Sequence, residues 1–177
     1  MKRAFITILA TLVFSNFASV KAQESAVEGI GVNGIKVGKS TKNDVIRKFG
    51  RDYELVTHGT YSKQLTYEKL GIAVYYCQAD KKQTIFVIQL RKPFNVVTSK
   101  GVVLGESTVA DVKRLYGEPA ENEEFALWLT YKGIDFRNVD LRTDEANLLD
   151  DEMLINEINI YDFNFKLCGG AITPKIK

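Results

Sequence analysis

GKSTKNDVIRKFG occupies Gly38 to Gly50, and GESTVADVKRLYG occupies Gly105 to Gly117. The two stretches share a glycine at each end and the same Ser-Thr-x-x-Asp-Val core. Thr41 and Thr108 suit a helix N-cap. Asp44 and Asp111 follow three residues later, where a carboxylate completes a capping box and meets the positive end of the helix dipole. Val45 with Phe49, and Val112 with Tyr116, stand four apart and share one helical face. Gly50 and Gly117 suit the left-handed position that follows a helix. Each stretch therefore predicts a helix of about two turns, which must dock on other structure to persist. Capping accounts for every Ser, Thr and Asp here, so the motif carries no catalytic reading.

The similarity extends outward. At an offset of 67, eight of the seventeen positions from Gly34 to Gly50 are identical in the second copy. Farther on, Leu65-Thr66-Tyr67 recurs as Leu129-Thr130-Tyr131, and Gly71-Ile72 as Gly133-Ile134. Ile85 to Leu90 answers Ile155 to Ile160. Order is kept while loop lengths drift, as in an internal duplication. After each helix the pattern changes to period two. Tyr61, Leu65 and Tyr67, then Ile72, Val74 and Tyr76, then Ile88 and Leu90 alternate with other residues, and the second copy does the same. That pattern predicts strands. The expected fold is α+β, with two tandem repeats, each a short helix on a three- to four-stranded antiparallel meander. Residues 34–95 form the first repeat and 96–163 the second. A segment at 23–33 precedes them and a tail at 164–177 follows.

The pattern G-x-S-T-x-x-D-V-x-x-x-x-G followed by a meander resembles the beta-lactamase inhibitory protein and the SmpA/OmlA outer-membrane assembly lipoproteins. The resemblance covers Gly34 to about Phe163. It implies a secreted, non-enzymatic binding protein whose sheet clasps a partner. It also implies a partner-facing loop, matched here by Gln78 to Gln83 with Asp80 within it.

The N-terminus reads as a signal peptide over residues 1–22. Lys2 and Arg3 precede an apolar run from Ala4 to Ala18, and Val20 and Ala22 occupy the positions checked at cleavage. The run is short for a bilayer span of ~20 residues, and Asn16 interrupts it. A periplasmic or secreted location follows, with no membrane span. Without Lys2, Arg3 and Lys21 the chain holds 21 basic and 22 acidic residues, which gives no reason to expect a nucleic-acid partner. Cys77 and Cys168 are the only cysteines. An even count in an exported chain favours one intramolecular disulfide, ahead of two buried thiols or a bond between chains.

Chemistry-bearing constellations are sparse. His58 is the only histidine, so a His-rich metal site is excluded, and no cofactor is expected. Asp140 to Glu152 packs six acids into thirteen residues. It lacks the order and central glycine of an EF-hand and reads as a solvated loop, with calcium as the alternative. Charge is distributed unevenly. Gly34 to Phe94 carries 12 basic and 5 acidic residues, whereas Gly101 to Phe163 carries 5 and 15. The halves are expected to attract each other, or to orient a charged protein or a head-to-tail homodimer. The sheet face opposite the helices is expected to display Ala73, Tyr75, Ile85 and Val87, then Trp128, Arg137, Ile155 and Glu157. Tyr75, Ile85, Val87 and Trp128 are the candidate partner-binding residues, since aromatic side chains commonly anchor interfaces. The function expected is that of an exported, non-enzymatic protein-binding module, an inhibitor or an envelope assembly factor. A structural envelope component is the alternative, and a hydrolase with an unrecognised site ranks below it.

Overall fold

The computed structural model describes residues 23–119, 128–139, 150–163 and Cys168. The expected signal peptide, the residues Phe125 to Leu127 before the second meander, most of the acidic loop and all of the tail except Cys168 lie outside these residues. In chain order the elements are β1 (Glu24–Val27), β2 (Gly31–Val32), β3 (Ile35–Lys36), α1 (Lys42–Phe49), β4 (Glu54–His58), β5 (Ser62–Tyr67), β6 (Ile72–Cys77) and β7 (Ile85–Arg91). They continue with β8 (Val96–Thr98), α2 (Val109–Tyr116), β9 (Leu129–Tyr131), β10 (Ile134–Arg137) and β11 (Glu157–Tyr161).

The α+β expectation of two helix-on-meander repeats is overturned. The described residues are mostly β, in two sheets, with two short α-helices and one 3-10 turn at Glu68–Leu70 among them. One sheet has seven strands in the order β4-β5-β6-β7-β11-β10-β9. The other has four, in the order β3-β2-β1-β8. The reason is long-range pairing. Instead of ending two separate meanders, β7 and β11 pair antiparallel, setting Ile88 against Ile160, Gln89 against Asn159, Leu90 against Ile158 and Arg91 against Glu157. The segments leading into the helices join elsewhere. The β2–β3 hairpin pairs with β1, and β1 runs parallel to β8.

The helix motifs work as docking clamps. Thr41 Oγ1 accepts from the Asp44 amide at 3.3 Å, and Asp44 Oδ2 accepts from the Thr41 amide at 2.8 Å. Thr108 and Asp111 make the same box at 3.2 and 3.1 Å. The recurring serines bridge the turn before each helix: Ser40 Oγ accepts from Lys36 N at 2.9 Å, and Ser107 Oγ from Val103 N at 3.0 Å. Backbone bonds then fasten each turn to the chain entering or preceding a third strand. Gly38 N donates to Ile85 O and Ile85 N to Ser40 O, both at 2.8 Å. Gly105 N donates to Ile155 O at 2.7 Å, and Ile155 N to Ser107 O at 2.9 Å. At the far end, Gly50 and Gly117 both have φ +86° with extended ψ, a region glycine reaches without strain, rather than the expected left-handed helical conformation. Their carbonyls accept from Tyr67 and Tyr131 hydroxyls at 3.0 and 2.7 Å.

Val45, Val109 and Val112 seat the helices in one apolar core. That core takes Leu65, Tyr67, Ile72, Val74 and Tyr76 from the first half, Ile134, Phe136, Ile158 and Ile160 from the second, and Ala26, Val32, Ile35 and Val96 from the smaller sheet. Burying each such aliphatic side chain stabilises by about 1.5–3 kcal/mol. Cys77 at the end of β6 is bonded to Cys168, with the Cα atoms 5.3 Å apart at a sequence separation of 91. In the chain-entropy description, closing such a loop stabilises by about 4 kcal/mol.

Thr41→Ala and Thr108→Ala each remove one cap acceptor and are expected to cost ~1 kcal/mol in denaturant unfolding. Unchanged midpoints in both variants would show that the strand-docking bonds alone hold the helices.

Candidate functional site

In a sheet, directly opposed residues share a face. On the large sheet, Gln64, Tyr75, Val87 and Tyr161 form one row across the face away from the core. Thr66, Ala73, Gln89, Asn159, Asp135 and Thr130 form the next. Arg91, Glu157 and Arg137 form a third.

The charged row is the most constrained part of this face. The Glu157 side chain is 0% exposed and contacts the Nε of both Arg91 and Arg137. Asn159 Nδ2 donates to Glu157 Oε1 at 3.0 Å. Burial pushes the Glu157 carboxyl up, but Arg137, Asn159 and Arg91 outweigh it and hold the carboxyl below its ordinary value. The Arg137 guanidinium lies 4.3 Å from the centre of the Trp128 ring, so Trp128 fixes the cation from one side. Arg91 is more open, its side chain 47% exposed against 25% for Arg137. Two cations share one carboxylate, which leaves local positive charge.

Beside this row lies a groove of about 360 Å³. Ala73, with its small side chain, lines it together with Tyr75, Thr66, Gln64 and Gln89. Arg91, Lys92 and Arg137 supply cationic lining, and Glu54 and Glu68 come from the β4–β5 side. Tyr75 donates to Gln89 Oε1 at 3.3 Å, and Thr66 Oγ1 has no hydrogen-bond partner among the described residues. Such a surface can bind a polar group through guanidinium forks, amides and a phenol. Among the described residues, no cluster of three or more His, Cys, Asp or Glu could hold a metal ion. A larger hollow of about 560 Å³ lies beside α1. Its Ser40 and Asp44 are engaged by the helix clamp, so it reads as structural.

The expected partner-binding residues do not all share this face. Tyr75, Val87 and Trp128 are half-buried. Ile85 is fully buried in the core. The cause is a β-bulge: Tyr75 opposes Val87 but Tyr76 opposes Ile85, so Phe86 is the extra residue and the alternation along β7 reverses there. Phe86 takes up a position beside Tyr75, ring centroids 6.4 Å apart. Ile155, also expected on this face, is fully buried where the α2 clamp grips it. His58 stacks on Tyr75 at 5.6 Å, and its Nε2 lies 2.6 Å from Gln64 Oε1. Asp80 serves its own turn, accepting from Lys82 N and Thr84 N at 2.9 and 2.7 Å, and those amides hold its carboxyl below the ordinary range.

Sequence reasoning placed Arg137 and Glu157 on this face but missed Arg91, Gln89, Asp135 and Asn159. A signal was present in the duplication. Core positions stay apolar between copies, as in Ile72/Ile134 and Ile88/Ile158. Outer positions change character: Ala73 becomes Asp135, Tyr75 becomes Arg137, and Val87 becomes Glu157. The apolar pattern shared by the two sequence copies does not require those polar groups.

No protein family, curated protein or solved structure matches the chain.

Asp135 supplies a test of this polar face. Burial pushes its carboxyl up to about 7, with Thr130, Tyr161 and Arg137 only partly opposing the shift. An unfolded aspartate titrates near 3.9. Between about pH 4 and 7 the native state holds a proton that the unfolded state has released. Asp135 therefore lowers stability as pH rises through that window, with the full cost present above it. Asp135→Asn is expected to raise stability at pH 8 by up to about 4 kcal/mol and to flatten the slope between pH 4 and 7. Parallel pH profiles for variant and wild type would show that Asp135 is not buried as described.

Proposed function

We propose that this chain is an exported, non-enzymatic protein-binding module, an inhibitor or an envelope assembly factor, that meets its partner with the outer face of the seven-stranded sheet. One observation carries the reading: Trp128, Arg137, Glu157 and Arg91 form a fixed aromatic and charged cluster at positions where the other copy of the repeat has other residues. Trp, Tyr and Arg are the side chains that most often dominate binding energy. Glu157 and Trp128 hold the arginines in place before a partner arrives, which limits the ordering cost of binding. Export is supported by the N-terminal pattern and by the Cys77–Cys168 bond, since disulfides persist in oxidising compartments. No helix among the described residues is long and apolar enough to cross a membrane.

The partner is best sought by pull-down from the native envelope fraction, followed by binding measurements on the purified pair. Trp128→Ala is expected to weaken that complex by more than ~1 kcal/mol while the melting temperature stays near wild type. A stability loss of ~3 kcal/mol or more would mark Trp128 as core packing instead. Unchanged affinity would remove this face from the interface and favour a purely structural role.

A further inference from the structure

We infer that a second copy of this chain pairs with the free edge of β4, joining two seven-stranded sheets into one. Among the described residues β4 pairs with β5 alone, so its other edge presents unpaired backbone groups. Edge strands are usually blunted by lysine, proline, a bulge or shortness. β4 has no lysine, proline or bulge, and its one formal charge, Glu54, stands at its first position: it is a regular five-residue strand, Glu-Leu-Val-Thr-His. Its Leu55 points to the core side, opposite Leu65, yet remains 47% exposed because the sheet ends there.

The register of such a pair follows from the pleat. A two-fold axis perpendicular to the sheet keeps both cores on the same side only if a residue faces its own copy. Centring the pair on Val56 engages all five residues. Leu55 then faces Thr57 of the second copy, covering part of its exposed side chain. Glu54 faces His58 of the second copy, an acid against an imidazole. Continued past the strand, the same register sets Tyr61, 59% exposed in the β4–β5 turn, across from the exposed Arg51 of the second copy. The strand is thus complementary to itself in hydrogen-bonding groups, apolar contact and turn position. Glu54 and Val56 also line the groove on the outer face. The second copy would wall that groove on its open side, bringing two such grooves together across the seam.

Analytical ultracentrifugation of the mature chain tests this without any knowledge of a partner. The wild type is expected to sediment as a dimer that dissociates on dilution. Thr57→Lys, which sets an ammonium against Leu55 of the second copy, is expected to raise the dissociation constant tenfold or more with an unchanged melt of the diluted protein. Val56→Cys reads the register directly. Under mild oxidation it is expected to form a covalent dimer, whereas Leu55→Cys, displaced from its own copy by two positions, is not. A wild type that remains monomeric throughout the micromolar range overturns the inference. So does a dimer in which Val56→Cys cross-links no better than Leu55→Cys.

Discussion

The pairing of β7 with β11 is the contact on which the rest of this molecule depends. Each strand ends a meander that would otherwise expose an edge. Pairing them satisfies both edges at once and places Ile88, Leu90, Ile158 and Ile160 in a single core row system. The same seam carries Arg91 from the basic half against Glu157 from the acidic half. The opposed charges of the two halves therefore meet at one defined position. The Glu157 end of that pair is fully buried, while the Arg91 side chain is 47% exposed. Glu157 is also held by Arg137 and Asn159, so its charge does not rest on Arg91 alone.

Around this seam the helices have a positional role. Each is only eight residues long and could not persist alone. The Gly-x-Ser-Thr clamps fasten them through backbone bonds to Ile85 and Ile155. The chain leading into each third strand thus anchors a helix while the strand itself builds the sheet seam. Within the clamps Gly38/Gly105, Ser40/Ser107 and Thr41/Thr108 are identical between the two sequence copies. The N-terminal strand β1 adds a further long-range constraint, because it pairs antiparallel with β2 and parallel with β8 and so ties together the segments that lead into both helices.

The outer face follows a different logic. Its polar groups oppose maximal stability: a buried carboxylate needs two arginines, and Asp135 is held near neutrality by burial with Oδ1 unpartnered among the described residues. Natural proteins often retain such costs where function needs them. The burial of Tyr75 and then the charge of Glu157 raise the Tyr75 phenol, so it stays a neutral hydrogen-bonding group at working pH. The proposed partner face thus sets a neutral phenol beside groups of both signs, Arg91, Lys92 and Arg137 with Glu54, Glu68 and Glu157.

The sequence by itself determined the local elements. Helix starts were legible in Thr41-x-x-Asp44 and Thr108-x-x-Asp111, because capping acts between residues three apart. Core-facing residues of β5, β6 and β11 were legible through period two, and one disulfide through an even cysteine count. Only the tertiary structure decided how these pieces meet. Period two gives a strand's faces but not its neighbour, so the β7–β11 seam and the parallel β1–β8 pair were not written locally. One inserted residue at Phe86 reversed the alternation and moved Ile85 from the expected outer face into the core. Glu157 stands among alternating isoleucines and reads as a solvent-facing acid. Its complete burial depends on Arg91 and Arg137 arriving from strands on either side, which no short-range pattern encodes.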